Sequence, residues 1–242
     1  MRAIGFSTGS LALSDFSRAL SMLRTIPSCT AVELSALRDY ELIPLVNSLD
    51  KLDLSQFSFI SFHAPSRYET LTEEEVIFYL EVVAKHGWPI VVHPDAVEDF
   101  DLWTRFGDLL CIENMDKRKP IGRTVSELKK IFHKLPGASL CFDFGHARQV
   151  DPTMCEAAII LKEYLHQLKY IHVSEVNSQS KHEPLSLEAI IAFSKVAFMI
   201  PFDIPVILET SVSGDSLKKE IFKAKRLFHP LESQLEKVLV LD

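Results

Sequence analysis

The stretch Cys141-Phe-Asp-Phe-Gly-His-Ala147 places a carboxylate, Asp143, three residues from an imidazole, His146. Leu140 leads into it as a short buried strand, and Gly145 breaks that strand. Across such a bend the two side chains can converge on one point, to hold a cation or move a proton. Similar endings recur along the chain. The last inward position of each later strand is His63, His93, Glu113, Asp143, His172 and Glu209, with His146 and His182 just beyond. Two residues earlier, on the same face, stand Ser61, Val91, Cys111, Cys141, Tyr170 and Ile207, small or apolar residues suited to filling a barrel layer. Cys111 and Cys141 read as packing residues rather than nucleophiles.

Packing does not explain six successive strands that end in His, His, Glu, Asp, His and Glu. Carboxylates gathered at one mouth would repel one another and be costly to desolvate. A divalent cation removes that cost, and His with Asp or Glu are its natural ligands. Five of the nine histidines fall at this rim. His86, His133, His166 and His229 read as surface or packing residues on helices or near the terminus.

These residues need elements to position them. Strands are expected at Ala3–Ser7, Ala31–Leu37, Phe57–His63, Pro89–His93, Leu109–Glu113, Leu140–Asp143, Tyr170–Val173 and Pro205–Glu209. Helices lie between them, with apolar residues at helical spacing. Ser14 is expected to cap the stripe Phe16, Ala19, Leu20 and Leu23. Leu42, Leu45, Val46 and Leu49 mark a second helix. Thr72-Glu-Glu-Glu75 and Thr124-Val-Ser-Glu127 read as capping boxes. The second of these starts the stripe Leu128, Ile131, Phe132 and Leu135. A helix is expected around Phe100 and Trp103. Ala158, Leu161, Leu165 and Leu168 should face inward on the helix after the sixth strand. Leu187, Ile190, Ile191, Ser194 and Ala197 mark the next helix, and Leu217, Ile221 and Ala224 lie on a last long helix.

Eight strand–helix alternations in 242 residues leave about 30 residues each, the size of a βαβ building block. Apolar strands joined by helices demand a parallel sheet covered by helices. Eight such units predict an α/β fold, a (β/α)8 TIM barrel forming a single domain over 1–242. An open doubly wound sheet is disfavoured, because Gly5-Phe-Ser-Thr-Gly9 lacks the dinucleotide-binding spacing.

Hydrophobic residues make up 47% of the chain and charged residues 24%, as in ordinary globular proteins. A net charge of −7 argues against a broad nucleic-acid footprint. Cys29, Cys111, Cys141 and Cys155 form no CxxC, and free thiols in a reducing compartment are expected. No signal peptide is read at the start. The apolar run Ala189–Ile200 is broken by Ser194 and Lys195, so no membrane span is expected. A cytoplasmic protein is expected.

The pieces Phe62-His63-Ala-Pro65, Val92-His93-Pro94, Ile112-Glu113-Asn114, Asp143-Phe-Gly-His146-Ala147, Ile171-His172-Val173, His182-Glu-Pro-Leu185 and Leu208-Glu209-Thr210 occur in that order. In them the chain resembles the xylose isomerase-like TIM-barrel superfamily, which holds sugar and sugar-phosphate isomerases and epimerases and the endonuclease IV type of AP endonucleases. The resemblance implies a metal site of Glu113, Asp143, His172 and Glu209. It implies a proton relay by Glu113 and Glu209 through a metal-stabilised enediolate, with His146 bonding substrate oxygens. In the endonuclease-like members three zinc ions are bound. His63 and His93 would then join Glu113, and His146 and His182 would hold another ion with an Asp two residues before His182. Here that position is Ser180, a poor replacement for a carboxylate. The Asp-x-His and Gly-Glu-Gly of the isomerase branch are not intact in Ser180-Lys-His-Glu-Pro-Leu-Ser186.

The function expected first is a divalent-metal-dependent isomerase or epimerase of a small sugar or related hydroxy-carbonyl compound. The catalytic residues are Glu113, Glu209 and His146. The cofactor is one Mn, Zn, Co or Mg ion, with up to three in the endonuclease-like arrangement. His146, Arg148 and Lys181 are the expected substrate-binding residues. The alternatives are an endonuclease IV-like zinc phosphodiesterase acting on abasic DNA, and a non-catalytic metal- or ligand-binding barrel. Asn114 is expected to fix a loop by hydrogen bonding. Glu33, inside the second strand, is either a buried polar contact or a residue that reaches the site.

Overall fold

Eight short strands, almost wholly buried, build a closed all-parallel barrel in the computed structural model, which describes residues 2–228. The first seven are β1 (Ile4–Ser7), β2 (Ala31–Ser35), β3 (Phe59–His63), β4 (Ile90–Val92), β5 (Leu110–Glu113), β6 (Ser139–Asp143) and β7 (Leu168–Val173). Two short strands outside the barrel follow, β8 (Glu175–Val176) and β9 (His182–Glu183), and β10 (Val206–Leu208) is the eighth barrel strand. Successive barrel strands are neighbours in space, and β10 pairs with β1 to close the ring. This is the expected (β/α)8 architecture, with strands one to two residues shorter than read from sequence at several ends. His229 lies outside the described residues.

The helix layer consists of α1 (Thr8–Ala12), α2 (Phe16–Arg24), α3 (Asp39–Val46), α4 (Glu73–Ala84), α5 (Phe100–Trp103), α6 (Val125–Lys134), α7 (Phe144–Val150), α8 (Cys155–Tyr164), α9 (Leu187–Ala197) and α10 (Asp215–Leu227). Two core regions result. The larger lies between strands and helices, where residues such as Phe6, Leu34, Phe62, Ile112, Phe142 and Val173 meet the helix stripes. The smaller fills the barrel floor with Ala31, Val91, Cys111, Cys141, Tyr170 and Ile207. The two cysteines are fully buried packing residues, and burial pushes both thiols up, away from reactivity.

Several local expectations are corrected. α2 is capped by Asp15, not Ser14: Asp15 Oδ1 accepts the Arg18 N–H at 2.9 Å. The Thr72–Glu75 box forms in full. At α6 only half forms, because Glu127 turns to the N–H and guanidinium of Arg123 at 2.8 and 2.6 Å. The stronger charge-assisted fork displaces the reach back to Thr124.

The inward face of α8 differs from expectation, and the apolar residues of α9 leave its inward face open in the sequence. α8 ends at Tyr164, so Leu165 falls in a 3₁₀ turn and Leu168 opens β7; Leu161 is buried as expected, joined by Ala157, Ile160 and Tyr164. On α9, Leu187 and Ile191 are 71% and 57% exposed, whereas Ala189, Ala192, Phe193 and Val196 are buried. α9 is apolar around much of its circumference, so periodicity did not single out one face. The face turned inward carries Ala189, Ala192 and Phe193, whose ring packs against Phe144 of α7 with centroids 5.3 Å apart.

After β7, β8 and β9 pair as a two-stranded antiparallel hairpin. It carries His182 over the barrel mouth. No helix among the described residues is long and apolar enough to cross a membrane.

Candidate metal centre at the barrel mouth

Side chains alternate along a barrel strand, so the residue at the C-terminal end of each strand and the one two positions below it share the interior face. In register, Glu113 lies beside Cys141, and Asp143 beside His172. A bulge between Leu140 and Cys141 shifts the β6–β7 register by one residue. Tyr170 then pairs with Cys141 and His172 with Asp143, which keeps both residues inside. β1 and β2 contribute only Ser7 and Ser35 to the upper level, bonded to each other at 2.6 Å. The charged side chains therefore come from the other six strands and from Glu33 one level down.

Glu113 stands at the centre. His172 Nδ1 is 3.1 Å from its Oε1, and His146 Nδ1 is 3.3 Å from the same oxygen. Its Oε2 is 3.2 Å from His93 Nε2 and 3.6 Å from His63 Nε2. Burial would raise the Glu113 carboxyl, but His172 and the imidazoles around it hold it well below the usual carboxylate range. Glu209 Oε2 is 3.5 Å from His172 Nδ1 and 3.6 Å from His182 Nδ1. Burial, with the Glu113 and Glu33 charges behind it, raises the Glu209 carboxyl.

Asp143 divides its oxygens between two tasks. Oδ1 caps α7 by accepting the His146 N–H at 2.6 Å, while Oδ2 is buried with no hydrogen-bond partner. α7 was not read from the sequence; its cap residue lies in the strand itself. Gly145 permits the seating of α7, since a Cβ there would lie 2.7 Å from the Ser174 carbonyl oxygen. Asn114 behaves as expected. It clamps the ends of β5 and β6, its amide bonding the Asp143 backbone at 2.9 and 2.7 Å. Burial and the Glu113 charge push Asp143 up to about 6.

The histidines are oriented by fixed acceptors. His63 Nδ1 donates to its neighbour's carbonyl, Ala64 O, at 2.7 Å, which leaves Nε2 for Glu113. His146 Nδ1 donates to Asn114 O at 3.0 Å, leaving Nε2 for other partners. Burial opposes charge on His146, but Asp143, Glu113 and Glu209 lift it to about 10. Burial lowers His93 and His182 to about 4.

Two groups of side chains bring ligand atoms within 4.8 Å of one another: Glu113, Asp143, His172 and Glu209, and His63, His93 and Glu113. They share Glu113. Among the described residues no such group includes His146 or His182. The fit to a cation is supported by orphaned polar atoms, because Glu113 Oε2 and Asp143 Oδ2 are both buried without a hydrogen bond. Buried carboxylates in native proteins are paired or coordinate metals.

The remaining expected residues stand apart from these groups. Ser180 Oγ donates to Asp116 Oδ1 at 3.1 Å and accepts from Gln149 Nε2 at 2.8 Å. Asp116, buried beside it, was not singled out from sequence, and burial is outweighed there by bonds from Arg118 and Ser180 that keep its carboxyl low. Arg148 is held by Glu175 at 3.0 Å. Lys181 is exposed on the hairpin turn.

Above the histidines opens a cavity of about 370 Å³ that reaches His93, His146 and His182 and is flanked by Arg38, Arg67 and Arg118. A further cavity of about 640 Å³ adjoins it past Arg67, Arg118 and Lys119. These cations come from loops after β2, β3 and β5, and no spacing in the sequence groups them.

The sequence matches no family model and no curated protein. Its fold matches solved structures. Endonuclease IV from Thermus thermophilus is 18% identical, with 97% of this chain and 99% of that one covered and a TM-score of 0.59. The 3-keto-D-glucoside 4-epimerase of E. coli is 12% identical, with 94% and 99% covered and a TM-score of 0.57. A xylose isomerase-like TIM barrel protein from Mycobacterium smegmatis, solved in complex with magnesium, is 11% identical, with 94% and 98% covered and a TM-score of 0.56. The chain shares the barrel fold of these proteins, the fold that its sequence resemblance implied.

Proposed function

We propose that the barrel mouth holds a divalent metal ion and catalyses a proton-transfer isomerisation or epimerisation of a small sugar or related hydroxy-carbonyl compound. The observation that carries this reading is the pair of buried, unbonded carboxylate oxygens, Glu113 Oε2 and Asp143 Oδ2, within a ring of imidazoles. Glu113, Asp143, His172 and Glu209 would hold the ion. When bound, the ion supplies Lewis acidity toward a carbonyl and a neighbouring hydroxyl.

The chain's own groups divide the remaining work. Glu209 is the less enclosed glutamate, 7% exposed against 1% for Glu113. Its raised pKa suits a carboxyl that takes a proton from carbon and releases it again. Glu113 is the second member of the relay. His146, its Nδ1 committed to Asn114, turns Nε2 toward a substrate oxygen as a cationic donor for developing negative charge. Arg38 and Arg118 at the cavity pair with Glu41 and Asp116, and Arg67 beside them favours a substrate that carries a phosphate or carboxylate. The structural likeness to a keto-glucoside epimerase supports the same class of reaction.

Deuterium exchange into a panel of sugars and sugar phosphates tests this. Wild-type protein loaded with Mn²⁺, Co²⁺, Zn²⁺ or Mg²⁺ should exchange the C–H next to the carbonyl of one of them, and Glu113→Gln or Glu209→Gln should abolish it. Exchange unimpaired in both variants overturns the glutamate relay.

A second reading, an endonuclease IV-like zinc phosphodiesterase, is favoured by the additional ligand group of His63, His93 and Glu113 and by the fold likeness to endonuclease IV. EDTA-sensitive incision of a duplex with one abasic site, absent in His63→Ala, would establish it over the isomerase.

A further inference from the structure

Glu33 lies on β2 one level below the mouth and is completely buried. Its hydrogen bonds converge on one oxygen. Ser61 Oγ donates to Oε2 at 3.0 Å, Tyr170 Oη at 2.8 Å and His172 Nε2 at 3.1 Å. Oε1 has no hydrogen-bond partner. The His172 ring spans the distance from this oxygen to the acids above it. Its Nδ1 lies 3.1 Å from Glu113 Oε1 and 3.5 Å from Glu209 Oε2. A ring anchored through Nε2 can offer only Nδ1 to the group of Glu113, Asp143 and Glu209.

The two nitrogens of an imidazole are not equivalent, and the partner of one decides what the other can do. A carboxylate on the far nitrogen of a ligating histidine fixes its tautomer and orientation and raises the basicity of the near nitrogen. Ser61 and Tyr170 hold the Glu33 carboxylate in place from β3 and β7, so the anchor is itself anchored. Tyr170 also packs edge-on against His172, with ring centroids 5.4 Å apart.

We propose that Glu33 is a positioning residue: it binds His172 through Nε2, so that Nδ1 is the nitrogen presented to a divalent cation, and its negative charge tightens that cation's retention. This rests on the metal reading of the preceding subsection. A purely structural role for Glu33 makes a different prediction, because a strut needs its hydrogen bonds and not its charge. Glu33→Gln separates the two. The amide oxygen takes the Oε2 position and keeps all three donors, while the amide nitrogen takes the unpartnered Oε1 position.

The experiment uses Zn²⁺ as the probe on metal-free wild type and Glu33→Gln, with circular dichroism to check the fold. Histidine side-chain ¹⁵N spectra identify which nitrogen of His172 carries a proton, and competition with a chromophoric chelator gives the affinity. In wild type, Nε2 should remain protonated before and after Zn²⁺ is added, and Nδ1 should shift on binding. Glu33→Gln should fold and bind Zn²⁺ about 10- to 100-fold more weakly. Equal affinity in the folded variant, or Zn²⁺ on Nε2 in wild type, overturns the role of Glu33 alone. Wild type that retains no Zn²⁺, Mn²⁺, Co²⁺ or Mg²⁺ overturns the metal reading and this role with it. If Glu33→Gln does not fold, Tyr170→Phe removes one bond to Oε2 and keeps the carboxylate. A smaller loss of Zn²⁺ affinity is then expected, and unchanged affinity overturns the proposal.

Discussion

Asp143 Oδ1 accepts the backbone N–H of His146 at 2.6 Å, so one carboxylate both ends β6 and begins α7. The other oxygen, Oδ2, has no partner. The two roles separate by substitution. Asp143→Asn retains an oxygen for the cap and loses the charge, so metal affinity should fall by at least about tenfold with little change in thermal stability. Asp143→Ala removes the cap as well and should cost about 1 kcal/mol or more of stability in addition. Chelator competition and thermal melts on the two variants check this. Equal metal binding in Asp143→Asn would remove Asp143 from the ligand set.

Glu113 and Glu209 differ in enclosure, and their variants should differ in kind. Glu113 contacts four imidazoles. Glu113→Gln should therefore lose both metal retention and catalysis. Glu209→Gln should lose turnover by about 10²- to 10⁴-fold, with a smaller change in retained metal. Elemental mass spectrometry of each purified variant, alongside substrate deuterium exchange, distinguishes the two patterns.

Gly145 lies where β6 gives way to α7. A methyl group there would meet Val176 Cγ2 at 2.5 Å and Ser174 O at 2.7 Å. The second contact is backbone and cannot swing aside. Gly145→Ala should destabilise the protein by about 1–3 kcal/mol, as overpacking does, and displace His146 from Asn114 O. Urea unfolding measures the first effect, and loss of activity with metal retained would report the second.

Asp39 ties the loop after β3 to α3. Its Oδ2 accepts the N–H groups of Glu69, Thr70 and Leu71. Burial alone would raise its carboxyl, but these bonds hold it at about 2, below the ordinary 3.8. The unfolded chain therefore takes up this proton first as pH falls. The contribution to stability, about 2 kcal/mol by linkage, is fully present above about pH 5 and disappears as pH approaches 2. Asp39→Asn should be less stable than wild type by roughly that amount at pH 7, and the difference should close at about pH 2. A difference that persists unchanged at pH 2 would assign the effect to lost packing instead.

The rim was legible in the sequence because its signal is local. Inward and outward residues alternate with period two, so His63, Glu113, Asp143 and His172 and the fillers two places before them could be read strand by strand, and the structure places them together. The eight-unit rhythm and the absence of a dinucleotide fingerprint were enough for the barrel. Asn114 as a clamp followed from the same alternation. What depended on distance across the ring was not legible. Glu33 is a lone acid in an apolar strand until Tyr170 and His172, far along the chain, bring their donors to it. Ser180 read as a lost ligand; its hydroxyl instead bonds Asp116, 64 residues away, and Arg148 is occupied by Glu175. The outward turn of Leu187 and Ile191 was likewise decided by which stripe the neighbouring surface could accept. Periodicity along one strand or helix specifies which side chains share a face. Only closure of the barrel decides which of them share a point, because hydrogen bonds and charge pairing act through space and carry no record in local spacing.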